Sequence, residues 1–151
     1  MNLVTARPED APALASIHAQ AFDKPWDESD FEGVLEAQGV FGLLVQGEDP
    51  AGLLICRTVA GEAEILTVGV AGWARRRGIG QSLMTAAIDL ARQGGADRMF
   101  LEVDVGNAAA VTLYERLGFE RAGLRKAYYD RGADGFADAL VMRLDLTGGA
   151  H

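Results

Sequence analysis

Val68-Gly69-Val70-Ala71-Gly72-Trp73-Ala74-Arg75-Arg76-Arg77-Gly78-Ile79-Gly80-Gln81 is the passage on which the fold turns. It begins as the end of an apolar strand, crosses a loop over 71–77 and enters a helix at about Gly78. Ile79, Leu83, Ala86, Ala87 and Leu90 recur at helical spacing and predict a buried stripe on a helix that runs to about Gln93. Gly94 and Gly95 stop it, and residues 99–103 read as a buried strand. A strand, a helix and a strand in this order require a parallel crossover. Gly78 and Gly80 let the backbone approach a ligand, and the free N–H groups of a helix start point at it. With Arg75, Arg76 and Arg77 alongside, the loop suits a pyrophosphate. It is not a Walker loop, because Gln81-Ser82 stand where Lys-Ser/Thr is needed. Leu83 replaces the third glycine of a dinucleotide fingerprint.

Outward from this passage, residues 3–6 read as a first strand. Pro8 opens a helix to about Ala21, with Glu9 and Asp10 at its positive end and Ala11, Leu14, Ile17, His18 and Ala21 on its apolar face. Pro25 breaks the chain, and Asp27 caps a short helix that ends before Gly39. Strands over 40–46, 52–59 and 64–70 form a meander, in which Gly69 marks a bulge or a close backbone approach. Asn107 caps a helix over 108–117 that Gly118 stops, and strands over 121–129 and 136–145 close the fold. The expectation is a mixed α/β (α+β) protein: a mostly antiparallel sheet of about seven strands with about four helices. Residues 1–146 form one domain and 147–151 a flexible tail.

Composition narrows the function. The chain has 151 residues, 49% hydrophobic and 24% charged, which is ordinary for an ordered globule. Cys56 is the lone cysteine, so no internal disulfide exists, and with His18 and His151 it makes no zinc-like spacing, so no metal is expected. The apolar runs 40–45 and 51–56 are too short to span a bilayer, and no signal peptide is visible. These features predict a soluble protein of a reducing compartment, the cytoplasm, with no membrane partner. A net charge of −8 argues against direct nucleic-acid binding. Residues 1–74 hold 3 basic and 12 acidic groups, whereas 75–151 hold 11 and 10, so the arginines form a local positive island suited to a small anion.

Arg75-x-x-Gly78-x-Gly80 resembles the acetyl-CoA pyrophosphate loop of the GCN5-related N-acetyltransferases, and the order of elements is similar across nearly the whole chain. Four segments resemble, more narrowly, the ribosomal-protein alanine N-acetyltransferases of that superfamily. They are Pro25-Trp26, Leu101-Glu102-Val103, the run from Asn107-Ala108-Ala109-Ala110 to Leu117-Gly118-Phe119, and Tyr128-Tyr129 with Asp138-Ala139. The resemblance implies a splayed central pair of parallel strands with acetyl-CoA between them, as co-substrate. It implies that Val68, Gly69 and Val70 serve the pantetheine, with one N–H as an oxyanion donor. Arg75, Arg76, Arg77, Gly78, Ile79, Gly80 and Gln81 would hold the pyrophosphate, and Asn107 would also touch the cofactor.

Amide formation from a thioester needs a neutral amine, a polarised carbonyl and a protonated leaving thiolate. Glu102 interrupts an apolar strand and Tyr114 can protonate a thiolate; the resemblance matches them to the family's base and acid. A nucleophilic Cys56 is disfavoured, since no base lies near it in sequence. Trp26, Tyr128 and Tyr129 suit a peptide groove, and the acids Asp23, Asp27, Glu28, Asp30, Glu32 and Glu36 would attract a cationic amine. The implied partner is the N-terminal peptide of a ribosomal small-subunit protein. A lysine or small-amine acetyltransferase and a non-catalytic acetyl-CoA-binding module are the alternatives. Ala71-Gly72-Trp73-Ala74 is less polar than the family's usual loop, and Ala137 replaces an acid often found before Asp138.

Overall fold

The structure, a computed structural model, describes residues 1–130 and 135–147, with the side chains of 127, 129 and 130 outside that description. Residues 148–151 of the expected 147–151 tail and the side chain of Tyr129 therefore lie outside the described residues. The strands are β1 (Asn2–Ala6), β2 (Val40–Gln46), β3 (Pro50–Val59), β4 (Glu62–Val70), β5 (Arg98–Asp104), β6 (Glu120–Asp130) and β7 (Phe136–Asp145). The helices are α1 (Ala11–Ala21), α2 (Glu28–Glu36), α3 (Ile79–Gln93) and α4 (Ala108–Arg116). All seven strands form one sheet in the order β1-β2-β3-β4-β5-β7-β6, and β4–β5 is its parallel pair. The mixed, mostly antiparallel sheet read from the sequence is the one observed. None of the described helices is long and apolar enough to cross a membrane.

Local chemistry explains the elements. Asp27 accepts from the Asp30 N–H and Asp30 from the Asp27 N–H, both at 2.9 Å, which closes a capping box on α2. Ala60 and Gly61 both have positive φ, 52° and 82°, giving the two-residue hairpin whose twist fits β3 and β4. Residues 51–56 of β3 are buried throughout, because β3 is covered on both faces. Leu53 and Ile55 join a core under α1 and α2, whereas Ala51, Leu54 and Cys56 join a larger one under α3 and α4. On α3 the buried stripe is Ile79, Leu83, Met84, Ala87, Ile88 and Ala91. Leu90 is 41% exposed, because the stripe is rotated toward Met84 and Ile88 and leaves Leu90 at its edge.

The central pair parts early. β4 and β5 pair at Glu62–Arg98, Ala63–Met99 and Glu64–Phe100, and no further. A register shift follows on β4: Ile65 pairs Cys56, Thr67 pairs Ile55, and Leu66 is the extra residue. The bulge exchanges the faces of β4. Ala63 and Ile65 join the α3 core before it, and Val68 and Val70 join that core after it. Leu66 packs in the α1–α2 core and Thr67 meets α1. Gly69 is not the bulge. A Cβ there would lie 3.2 Å from Ala21 Cβ and 3.3 Å from Phe22, so Gly69 is the close approach of α1.

His18 ties this region together. It is 2% exposed, its Nδ1 accepts from the Trp26 N–H at 2.9 Å, and its Nε2 therefore donates to Thr67 Oγ1 at 3.0 Å. Phe22 and Trp26 stack on its ring and Phe31 meets it edge-on. Burial pushes its pKa down from 6.5 to about 4, against the opposing pull of Asp30. Its contribution to stability is complete above about pH 6.5 and is lost as pH falls to about 4, since the unfolded chain binds the proton more readily. Denaturant melts between pH 4 and 7 are expected to show uptake of roughly one proton on unfolding, and His18→Gln to remove it.

A second prediction concerns how α3 sits on the sheet. A Cβ at Gly52 would lie 2.6 Å from Ile79 Cγ2 and 3.1 Å from Leu83 Cδ1. Gly52→Ala is expected to cost ~1–3 kcal/mol by overpacking, read as a lower urea midpoint with unchanged slope.

Candidate active site

The parting of β4 from β5 leaves a wedge with backbone on one wall. Ala71 N–H bonds the Ala51 carbonyl at 2.8 Å, which makes Gly52–Val70 a non-hydrogen-bonded pair. The polar groups of Val70, and of Val68 two residues back, therefore face the open edge. The backbone of Gly69 turns to β3 instead, so of the three expected pantetheine residues Val68 and Val70 present donors and acceptors to the wedge. At the end of β4 the chain turns into α3 through two left-handed residues, Arg76 (φ 65°) and Gly78 (φ 75°). For Arg76 that conformation costs roughly 1–2 kcal/mol. It lets the N–H groups of Ile79, Gly80 and Gln81 emerge together at the helix start. They make no hydrogen bond among the described residues; the first helical bond is Ser82 N–H to the Gly78 carbonyl, at 3.0 Å. Nothing lies within 4 Å of where a Gly78 Cβ would stand, and Gly80 is open except for Leu113 at 3.6 Å.

The arginines divide their tasks. Arg75 Nη2 donates to the Gln20 carbonyl at 3.4 Å, while Gln20 Oε1 accepts from the Gly72 N–H at 3.0 Å. Gln20, which the sequence reading missed, thus braces the loop from α1. Arg77 lies over the Trp73 ring, 5.4 Å from its centre. All three arginines are exposed. Orphan amides at a helix N-terminus, flanked by exposed cations, fit a diphosphate; the open β4 edge beside them fits an extended amide-containing arm.

The other wall is β5 and α4. Met99, Leu101 and Val103 point into the α3–α4 core, so Phe100, Glu102 and Asp104 face the α1–α2 side. Tyr114 belongs to the α3–α4 core, 6% exposed and 6.0 Å from the Phe119 ring. Glu102 and Tyr114 therefore sit on opposite faces of the sheet and can serve one reaction through the gap beside β5. Burial pushes the Tyr114 hydroxyl up to about 12, which keeps it protonated. That hydroxyl has no hydrogen-bond partner among the described residues, and no fully buried side-chain N or O there lacks one, so it reaches accessible space. Asn107 caps α4 through Oδ1, accepting from the Ala110 N–H at 3.2 Å, which leaves its amide donors available.

Glu102 is 19% exposed at its side chain and is ion-paired: Arg125 Nη1 donates to its Oε1. Arg125 also stacks over Tyr128, 4.2 Å from the ring centre, and the carboxylate holds its guanidinium more firmly protonated than usual. Arg125 was not among the residues singled out from sequence, because only the register of three strands brings it to Glu102. Tyr128 is 48% exposed. Trp26 is half-buried against Phe31 and His18, so it shapes the α1–α2 connection as well as bordering it.

Two alternatives lose ground. Cys56 is buried and burial raises its thiol to about 12, which removes it as a nucleophile. A concavity of about 520 Å³ lined by Asp97, Arg98, Glu120, Arg143 and Asp145 opens where β4 and β5 still pair, away from Glu102. Its three carboxylates oppose an anionic ligand.

Comparison with known proteins agrees with the geometry. The acetyltransferase (GNAT) family matches residues 11–119. The [ribosomal protein bS18]-alanine N-acetyltransferase of Escherichia coli is 33% identical over 148 residues, covering 97% of this chain and 99% of the relative. The N-alpha-acetyltransferase RimI of Mycobacterium tuberculosis is 36% identical over 146 residues, covering 90% of this chain and 87% of the relative. The crystal structure of the E. coli ribosomal-protein-S18-alanine N-acetyltransferase superposes with a TM-score of 0.88 at 32% identity, covering 96% of this chain and 93% of that one. An opened parallel pair, an amide-lined helix start and this span of matching sequence have one common explanation: the chain belongs to the acetyltransferase (GNAT) family.

Proposed function

We propose that this protein transfers the acetyl group of acetyl-CoA to the N-terminal α-amine of an alanine-starting ribosomal small-subunit protein, directly, within one ternary complex in the cytoplasm. The observation that carries the reading is the placement of Glu102 and Tyr114 on opposite faces of the sheet beside the parted strands. Acetyl-CoA supplies an activated thioester. The first-turn amides of α3, with Arg75, Arg76 and Arg77, hold its diphosphate, Asn107 adds a contact, and Val68 and Val70 hold its arm. One of their N–H groups stabilises developing negative charge on the carbonyl oxygen. Glu102 takes the proton of the amine on the acceptor face, directly or through a water. Tyr114 delivers a proton to sulfur from the cofactor face, a role that suits a phenol kept neutral by burial. A single domain over 1–146 carries all of these groups.

The choice of an α-amine rests on energy. An α-amine has a pKa of about 7.7–8.0 against about 10.4 for lysine, so deprotonating it costs roughly 3.5 kcal/mol less. A carboxylate shared with Arg125 suits the easier task. Trp26 and Tyr128 serve the acceptor side, the same role for Tyr129 resting on the resemblance alone, and the acids of α2 and its approach draw a cationic N-terminus inward. The acceptor assignment follows the relatives, which act on bS18 alanine by name.

Thiol release from acetyl-CoA should follow the free N-terminus of a peptide. An Ala-starting peptide is expected to react, and the same peptide N-acetylated is expected to be inert. Reaction of a blocked peptide through its lysine would move the assignment to side-chain amines, and binding of coenzyme A with no release would reduce the protein to a binding module. Tyr114→Phe is expected to lower kcat roughly a hundredfold while coenzyme A affinity stays within about twofold.

A further inference from the structure

Glu102 is engaged by an arginine. Arg125 reaches it from the edge strand β6, across β7. Arg125 lies opposite Ala139 and Glu102 opposite Val141, so all four residues share the acceptor face of the sheet. Ala139 has only a methyl group, which lets the long arginine side chain cross. The two partners differ in freedom: Glu102 is 19% exposed at its side chain and Arg125 is 53% exposed, so the acid is the fixed partner and the arginine the movable one. The Tyr128 ring gives the guanidinium a resting face that does not depend on Glu102.

A carboxylate able to take a proton from an ammonium can also take one from water, and water is always present. A guanidinium bonded to Oε1 occupies that acceptor site. Water carries no charge with which to displace it, whereas the α-ammonium of an acceptor carries the same charge as Arg125 and competes for the same oxygen. We propose that Arg125 is a specificity-determining residue that closes Glu102 to water and yields it to a cationic amine. The proposal rests on the role of Glu102 as base in the preceding reading. The reaction it suppresses is hydrolysis: a water oxygen bonds the acetyl carbon, Glu102 takes the water proton, the carbon–sulfur bond breaks, and the thiolate is reprotonated. Acetate and coenzyme A thiol are the products.

Two measurements on Arg125→Ala test this. Acceptor-free thiol release is expected to rise roughly two- to fivefold, the range an exposed ion pair supports, and to return to background in Arg125→Ala/Glu102→Gln. Calorimetry without acetyl-CoA is expected to show the free-amine Ala peptide binding roughly two- to fivefold more tightly, with no change for the N-acetylated peptide. Arg125→Lys retains a cation and should stay near wild type in both. Unchanged release, release that persists in the double variant, or weaker peptide binding by Arg125→Ala would each overturn the proposal. A wild-type protein that acetylates no free-amine peptide would defeat the functional reading instead, and the acceptor-free release would still report on Arg125.

Discussion

β4 and β5 hold together through Glu64 and Phe100 and then separate, and the groups proposed to react are arranged around that separation. An internal strand edge without a partner is costly, because its N–H and C=O groups lose their ladder. Here the edge belongs to Val68 and Val70, and the bulge at Leu66 turns it. The bulge also moves Thr67 to the α1 side, where His18 can hold it. The opening is therefore built into the packing on both faces of β4. A parted pair of this kind would let a ligand reach from one face of the sheet to the other. In the proposed reaction, that is how Glu102 as base, facing α1–α2, and Tyr114 as acid, facing α3–α4, would meet a single reacting centre.

The flanking elements hold this opening in place through close contacts. Gly52 lets Ile79 settle onto β3, which fixes where the α3 amides emerge. Gly69 lets the end of α1 approach β4, and Gln20 on the same helix braces the arginine loop. His18 links Trp26 in the α1–α2 connection to Thr67 beside the wedge. The proposed acceptor side and cofactor side thus share one buried, uncharged imidazole. Preorganisation of this sort keeps donors in place before charge develops on a reacting oxygen.

Much of this was legible in the sequence. The sheet, its parallel crossover and the caps at Asp27 and Asn107 follow from periodicity and end signals, and strand 40–46 is observed with the bounds expected. The glycine–arginine loop and Glu102 stand out because charge and glycine interrupt apolar runs. Gly69 reads from sequence as a bulge or a close backbone approach, and it is the close approach; the bulge itself lies at Leu66, which carries no local sign of irregularity. Arg125 could not be found because its partner is 23 residues away and reached only across β7. Leu90 was misplaced because helical spacing leaves the stripe free to rotate by about one residue until the sheet beneath it is known.

Backbone amide resonances give the most direct view of the wedge. When coenzyme A is titrated into the labelled protein, the signals of Val68, Val70 and residues 78–81 should shift together, while those lining the Asp97–Arg143 concavity stay put. A folded protein whose Val68, Val70 and α3 first-turn amides do not respond, or whose response centres on that concavity, would contradict the account.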